Sequence, residues 1–329
     1  MRHRAGEFLD YNVTANHAPM VLIALYRMGA DHDQLRQYYA KVEIGSTASE
    51  KRALQAQRID RGSWTKYLGI FGAWSSYRQF FQDEIGKHGV QEVLASYLPP
   101  LMRGVAGHAF HPLIRVGYGI DLNDKDEIAF GLAYWASAYL PAPEIAKTKS
   151  RVDPAGMLNE LKNSEWLRGV KPHGQNIARR IGQFYAHEEF RRLVRPIELD
   201  SDRPLDAIAQ AIAEAFRGHH HFTMLHGVTS CHAMRMILPY CEKQEEVLSM
   251  YWFSVCAAYL SVINVPVDLF HPLPDREANW PRMQKDAIAT GNEHTIKLAY
   301  TCLKESEEYH NAYYPRFVLR EIDMAAPFV

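Results

Sequence analysis

Histidine is the residue type in this sequence with the clearest capacity for chemistry, and five of the sixteen histidines lie within residues 219–238. The stretch has the pattern of a helix that enters a core. Side chains at helical spacing from His226 are small or apolar, as at Thr229, Ala233 and Ile237. We therefore expect His226 to be buried, and a buried imidazole needs a hydroxyl, a carboxylate or a metal ion for its ring nitrogens.

Two other histidine patterns have simpler explanations. Residues 219–221 form a histidine triplet, but three consecutive residues point in three directions around a helix and cannot all ligate one ion. The run Asp31-His32-Asp33 contains the His-Asp pair of metal phosphohydrolases. It lies in a polar, loop-like stretch, so we interpret it as a coincidence.

His17 is predicted to stand at the start of a helix. Asn16 suits the N-cap, and Pro19 falls in the first turn, where a missing N–H costs nothing. The simplest role for His17 in that position is a contact with a neighbouring backbone carbonyl.

His111 and His294 each share a helix side with polar residues. Arg115 and Tyr118 follow His111 at i+4 and i+7. His294 shares its side of a helix with Lys297 and Thr301, opposite a row of apolar residues. A solvated helix face is the plain alternative for the His294 segment.

The four candidate histidines are spread along the chain: His17, His111, His226 and His294. They could share one site only if several helices pack around a common centre, as in bundles that build metal sites from facing helices. Imidazoles with few carboxylates and no thiolate pattern favour iron, copper or zinc over calcium or magnesium.

Helical periodicity dominates the rest of the chain, and period-two alternation is scarce. The pattern predicts helices over about 16–28, 33–42, 64–97, 101–120, 128–140, 157–167, 177–193, 205–216, 219–238, 245–262 and 282–313. Pro99-Pro100 is expected to break the helical pattern. Asp202 or Ser201 is expected to cap the helix over residues 205–216. We predict an all-α fold, a single multi-helix domain over residues 1–329 with a metal site between packed helices. The Pro/Lys-rich stretch near residues 140–156 is a candidate loop or sub-domain boundary.

Composition excludes several function classes. The formal net charge is −1 and no long basic run occurs, so neither nucleic acid nor an anionic membrane is an expected partner. The four cysteines are far apart without a CxxC motif, which favours reduced thiols and argues against a zinc ribbon. The first residues lack the apolar region of a signal peptide, and no apolar run reaches eighteen residues. We expect a soluble, cytoplasmic protein.

Four segments, in order, resemble the questin oxidase-like family: residues 16–30, 111–119, 225–229 and 293–297. The resemblance covers nearly the full chain. The family includes oxygenases of aromatic polyketide pathways that carry out Baeyer–Villiger-type oxidation or ring cleavage of anthraquinones. It implies a helical non-haem metal oxygenase. The chain has no HExxH, GxSxG, GxGxxG or P-loop motif that would indicate another class.

The resemblance also implies a ligand set. Carried onto this sequence, it makes His17, His111, His226 and His294 the metal ligands. Lys297 becomes a fifth ligand if CO₂ carbamylates its amine. We expect Tyr118, Thr229 and Arg115 to act beside the ligands, with Tyr118 and Thr229 orienting them, and His108 to lie in the same surrounding layer.

Three functions remain open at this point. The leading one is an iron-dependent oxygenase that takes O₂ and a quinone or polycyclic phenol, with NADPH as the candidate reductant although no nucleotide-binding fingerprint occurs. The second is a metal-dependent hydrolase on the same histidines, for which Glu293 and Asp268 are the nearby candidate bases. The third is a helical ligand-binding protein without catalysis. The resemblance favours the first.

Overall fold

The computed structural model describes residues 17–45, 58–145, 151–174, 176–200, 202–263 and 271–325. Within these ranges the chain is all-helical, as predicted, and holds no strand beyond one isolated bridge between Val152 and Ile197. Its α-helices are α1 (Ala18–Arg27), α2 (His32–Gly45), α3 (Trp74–Met102), α4 (His111–Leu122), α5 (Lys125–Ser137), α6 (Pro154–Asn163), α7 (Ile177–Ala186), α8 (Glu188–Leu193), α9 (Asp206–Gly218), α10 (Phe222–Ile237), α11 (Gln244–Ile263), α12 (Trp280–Ala289), α13 (Glu293–Tyr309) and α14 (Tyr313–Ala325). Short 3₁₀ turns occur at Trp64–Tyr67, Phe71–Ala73, Gly107–Phe110, Trp166–Gly169 and Leu238–Tyr240.

The chain divides into two compact units. The terminal unit comprises Met1–Lys51 and Asp268–Val329, and the central unit comprises Arg52–Val267. The candidate boundary near residues 140–156 lies inside the central unit.

The central unit is built around α4, which packs against both α5 and α10. Gly117 of α4 permits the close approach to α10, because a Cβ at this position would lie 2.7 Å from the Cα of Ala233. The approach places the N-terminal residues of α4 beside the first turns of α10. Helix α3 packs against α5, and its buried aromatic side chains include Tyr77, Phe81 and Tyr97.

One described helix, α11, is long and apolar enough to cross a membrane by length and composition. Its most apolar window is 78% buried inside the protein, which is the usual state of a core helix. A single helix of this kind is weak evidence for a membrane span.

In the terminal unit, α13 packs against α1, α12 and α14. Helix α1 begins one residue later than the sequence predicts, so His17 itself occupies the N-cap position and Pro19 lies in the first turn. Asn16 lies outside the described residues. Gly29 takes a positive φ of 85° directly after the end of α1, as expected of a residue at that position.

Two predicted boundaries are wrong. Pro99 and Pro100 lie inside the end of α3, and the real interruption is at Gly89, with φ 79° and ψ 163°. Both prolines are exposed, so the carbonyls that their missing N–H groups would have engaged can face water. The predicted helix over 101–120 is divided at residues 108–110, which have positive φ angles, and α4 starts only at His111.

The predicted cap of α9 is also wrong. The N-cap residue is Leu205, without a side-chain hydrogen bond, while Ser201 lies outside the described residues. Asp202 instead lies in a turn that is closed by the Asp200 side chain, which accepts hydrogen bonds from the backbone N–H groups of Asp202 and Arg203. The turn therefore precedes the helix by several residues.

Candidate metal centre

In the central unit, His111 and His226 present their rings to each other. His111 is the first residue of α4 and is 5% exposed, and His226 lies one turn into α10 and is 1% exposed. The two Nε2 atoms are 3.2 Å apart, and the ring centroids are separated by 4.6 Å. The sequence prediction that His226 is buried on a helix face is confirmed.

The opposite nitrogens of these two rings are directed at backbone carbonyls. His111 Nδ1 is 2.5 Å from the carbonyl oxygen of His108, and His226 Nδ1 is 2.8 Å from that of Phe222. A carbonyl oxygen only accepts, so each Nδ1 carries the proton and donates it. Each Nε2 is then the nitrogen left for a metal ion, since it keeps its lone pair in the neutral, Nδ1-protonated imidazole that binds metals.

The spacing of the two Nε2 atoms fits a shared ion. Metal–imidazole bonds of about 2.0–2.1 Å at angles between octahedral and tetrahedral separate two ligand nitrogens by about 2.8–3.4 Å. The observed 3.2 Å falls in that interval. Two Nε2 lone pairs would repel each other at this distance, so the pair needs a cation or a shared proton between the two nitrogens.

The terminal unit holds a second cluster, made by the N-termini of α1 and α13. His17 Nδ1 is 2.5 Å from Glu293 Oε1, and His294 Nδ1 is 3.8 Å from the same oxygen. The two imidazole rings meet edge to face, with centroids 4.6 Å apart. One ligand atom from each of these three residues lies within 4.8 Å of the others, so the group has the dimensions of a metal site.

Lys297 lies one turn after His294 and is 2% exposed. Burial lowers the pKa of its amine from 10.5 to about 7, against the opposing effect of the Glu293 carboxylate. Burial and then the charge of Lys297 lower the pKa of His17, although Glu293 opposes both effects. His17 is therefore neutral at pH 7 and donates its Nδ1 proton to Glu293.

Glu293 stays ionised in this cluster. Burial alone would raise the pKa of its carboxyl group, but the hydrogen bond from His17 and the nearby cationic groups outweigh burial and lower it. The hydroxyl of Tyr38 is buried in the same unit without a hydrogen-bond partner, and burial followed by the charge of Glu293 raises its pKa.

The alternative of a solvated face for the His294 segment is wrong. Lys297 and Thr301 are 2% and 0% exposed, and only 18% of the His294 side chain reaches solvent. A helical wheel shows which residues share a side, but it cannot show that another element covers the polar side as well.

The three residues expected to act beside the ligands lie in the central unit. Arg115 is fully buried and forms a two-pronged ion pair with Glu127, at 2.6 and 3.1 Å. Thr229 Oγ1 donates to backbone carbonyls of its own helix, and the ring of Tyr118 meets that of His232 edge to face. Their predicted roles in catalysis stay predictions.

Both patterns interpreted as incidental have structural roles. His221 is the N-cap of α10, and its Nδ1 accepts a hydrogen bond of 3.0 Å from the backbone N–H of Thr223. Asp31 and Gln34 form a reciprocal capping box at the start of α2, with two bonds of 2.9 Å. Asp268, a candidate base for a hydrolase, lies outside the described residues.

Sequence reasoning missed two features of these clusters. Glu293 was considered only as a base, whereas it orients His17; its place as the first residue of α13, adjacent to His294, was the available signal. The turn that directs the His108 carbonyl at His111 had no local signal, because its left-handed residues are not glycines.

Comparison with protein families adds the context that geometry alone does not. The model of the family described as Questin oxidase-like matches residues 14–302, which include all five predicted ligands. The chain belongs to the Questin oxidase-like family. This is a family of oxidoreductases, and membership implies an oxygenase that acts on an anthraquinone-type substrate. No curated protein matches the chain.

Proposed function

We propose that this member of the Questin oxidase-like family is an iron-dependent oxygenase of quinones or related polycyclic phenols. The observation that carries the proposal is the pair of buried imidazoles, His111 and His226, whose Nε2 atoms are 3.2 Å apart. The proposal follows the resemblance in assigning His17, His294 and Lys297 to the same ion. It also includes NADPH as the reductant and a cytoplasmic location.

The Lys297 amine supports its proposed carbamylation. Only a neutral amine attacks CO₂, and a pKa near 7 makes a large share of this amine neutral at physiological pH. The carbamate would present an oxygen ligand to the ion.

Iron in this site would supply the one-electron chemistry with O₂ that protein side chains lack. The protein's own residues hold neutral imidazoles in one tautomer and exclude water from around Lys297. Glu293 keeps the Nδ1 proton of His17 in place. Phe222, which is 48% exposed, lies edge to face against His226 with centroids 4.6 Å apart and offers an aromatic surface for a planar substrate.

The test begins with protein purified without a nickel column. We expect iron at about one equivalent per chain and O₂ uptake that depends on a hydroxylated anthraquinone, with and without NADPH. Protein from which iron has been removed by a chelator is the control, and it should recover uptake when iron is restored. Folded protein that binds no transition metal would contradict the proposal.

The hydrolase alternative lacks a free general base among the described residues of the candidate site. It needs a carboxylate to activate water, and Glu293 is already hydrogen-bonded to His17. Family membership also favours oxidation over hydrolysis.

A further inference from the structure

Residues 108–110 form an unusual turn directly before α4. His108, Ala109 and Phe110 have φ angles of 43°, 57° and 66°, and none of them is glycine. Left-handed backbone costs an L-residue roughly 1–2 kcal/mol. Three such residues in succession persist only if surrounding contacts hold them.

The side chain of His108 supplies two of those contacts. Its Nδ1 is 2.9 Å from the hydroxyl oxygen of Tyr134, a fully buried residue of α5. Its ring stacks on Phe71, with centroids 5.3 Å apart and an angle of 25° between the planes. The preceding residue, Gly107, packs so closely on the end of α5 that a Cβ would lie 2.1 Å from the Ala138 carbonyl oxygen.

The turn determines where the His108 carbonyl points. Its oxygen is 2.5 Å from His111 Nδ1 and so selects the tautomer in which Nε2 keeps its lone pair. His226 needs no comparable device, because its Nδ1 donates to the carbonyl of Phe222 four residues earlier, along its own helix. His111 begins its helix, so its acceptor has to come from a turn.

We infer that His108 and Tyr134 are positioning residues for His111: the Tyr134 hydroxyl anchors the His108 ring, and the anchored turn aims the His108 carbonyl that fixes the His111 tautomer. The inference deepens the proposed function and rests on it for the identity of the bound ion. The tautomer itself is a property of the metal-free protein.

The test compares Tyr134→Phe with wild type in two measurements. In metal-free protein, ¹⁵N–¹H spectra of the histidine rings should show His111 protonated at Nδ1 in wild type and as a mixture of tautomers in the variant, with His226 unchanged. Affinity for Fe²⁺, or for Co²⁺ as a spectroscopic probe, should fall about 10- to 100-fold, as on loss of other groups that orient metal ligands.

Tyr77→Phe is the matched control. It also removes a buried tyrosine hydroxyl of the central unit, which donates to the Trp64 carbonyl at 2.5 Å, and it should leave both measurements unchanged. His108→Asn is the second variant, since asparagine tolerates left-handed backbone but lacks the ring that Tyr134 and Phe71 hold. The His108→Asn variant should also show a mixture of His111 tautomers. It replaces Tyr134→Phe in both measurements if Tyr134→Phe does not fold.

A single Nδ1-protonated His111 in a folded Tyr134→Phe or His108→Asn variant, with metal affinity equal to that of Tyr77→Phe, would overturn the inference. The spectra separate this outcome from failure of the proposed function. Wild type that shows the fixed tautomer yet binds no iron or cobalt would contradict the oxygenase proposal and leave the positioning role standing.

Discussion

The two histidine clusters orient their rings by different means. In the central unit, both His111 and His226 donate Nδ1 protons to backbone carbonyls, at 2.5 and 2.8 Å. In the terminal unit, His17 donates to the ionised side chain of Glu293, and Lys297 is buried nearby. One cluster is held by neutral peptide dipoles and the other by titratable groups.

The two kinds of hydrogen-bond acceptor differ in how they respond to pH. A carbonyl acceptor has no pKa in the accessible range, so it favours the Nδ1-protonated tautomer of its histidine at every pH at which the imidazole is neutral. Carboxylate and amine groups change the charge around their histidine as they titrate. Protons compete with a metal ion for any imidazole, so binding by either cluster weakens at low pH. We expect the terminal-unit cluster to show an additional pH dependence, because Glu293 and Lys297 titrate beside its histidines.

The largest effect is expected when one histidine of the central-unit pair, His111 and His226, is removed. His226→Ala removes one of two ligands that face each other, and we expect iron affinity to fall by more than about 100-fold, beyond the loss from removing an orienting group. Equilibrium dialysis followed by metal analysis measures it. His232→Ala, which removes another buried histidine of α10, is the control and should keep its iron. Equal loss in both variants would show that the helix, and not the ligand, was damaged.

The second expected effect concerns the cost of burying Lys297. Its pKa is lowered from 10.5 to about 7, so the unfolded chain binds a proton that the folded chain does not between those values, and stability falls as the pH drops through that window. Lys297→Met should stabilise the metal-free, CO₂-free protein at pH 7 by about 2–4 kcal/mol. The gain should shrink toward pH 10.5. Urea unfolding across this range measures it.

Lys285→Met serves as the control for that experiment, since Lys285 is exposed on α12. It should change stability little at any pH. A gain for Lys297→Met that is the same at both ends of the pH window would mean that the charge of the buried amine is not the cause.

A third effect tests the charged orientation of His17. Glu293→Gln keeps an oxygen that can accept the Nδ1 proton of His17 but removes the charge, so we expect iron affinity to fall about 10-fold. The pH dependence of binding should flatten, because a titrating group has been lost. Glu305→Gln, which changes a buried carboxylate further along α13, should leave both properties unaltered. An undiminished pH dependence in Glu293→Gln would assign it to another group.

The smallest effect is expected at Thr229. Its hydroxyl donates to carbonyls of α10 at 3.3 and 3.4 Å, and His226 is already oriented by the carbonyl of Phe222. Thr229→Val should therefore change kcat/KM by less than about threefold, within the ~0.6 kcal/mol that a weak hydrogen bond contributes. Steady-state O₂ uptake would measure kcat/KM, and a tenfold loss would show that the Thr229 hydroxyl does contribute to catalysis.

The helices and the burial of His226 could be predicted because both follow from local periodicity. The stretch around His226 is apolar on the side that enters the core, and the structure confirms it at 1% exposure. The same reasoning could not decide for Lys297 and Thr301, whose polarity left a solvated helix face open although both are buried. Tertiary packing, which no window of sequence contains, buries that side.

The turn before α4 shows a second limit. Three left-handed residues without glycine contradict local preference, and contacts with Tyr134 and Phe71, distant in sequence, hold them. Pro99-Pro100 shows the reverse case: a strong local signal for a break has no effect where the prolines are exposed near the end of a helix.

Gly117 sets the separation of α4 and α10, and through it the distance between the two ligand histidines that these helices carry. A methyl group there would lie 2.7 Å from Ala233, well inside the ~3.5–4.0 Å at which carbon atoms pack. The helices would have to part by about 1 Å to accommodate it. The distance between the Nε2 atoms of His111 and His226 would increase with the helix separation. The spacing of the ligand pair therefore depends on the hydrogen atom that serves as the side chain of Gly117, six residues after His111.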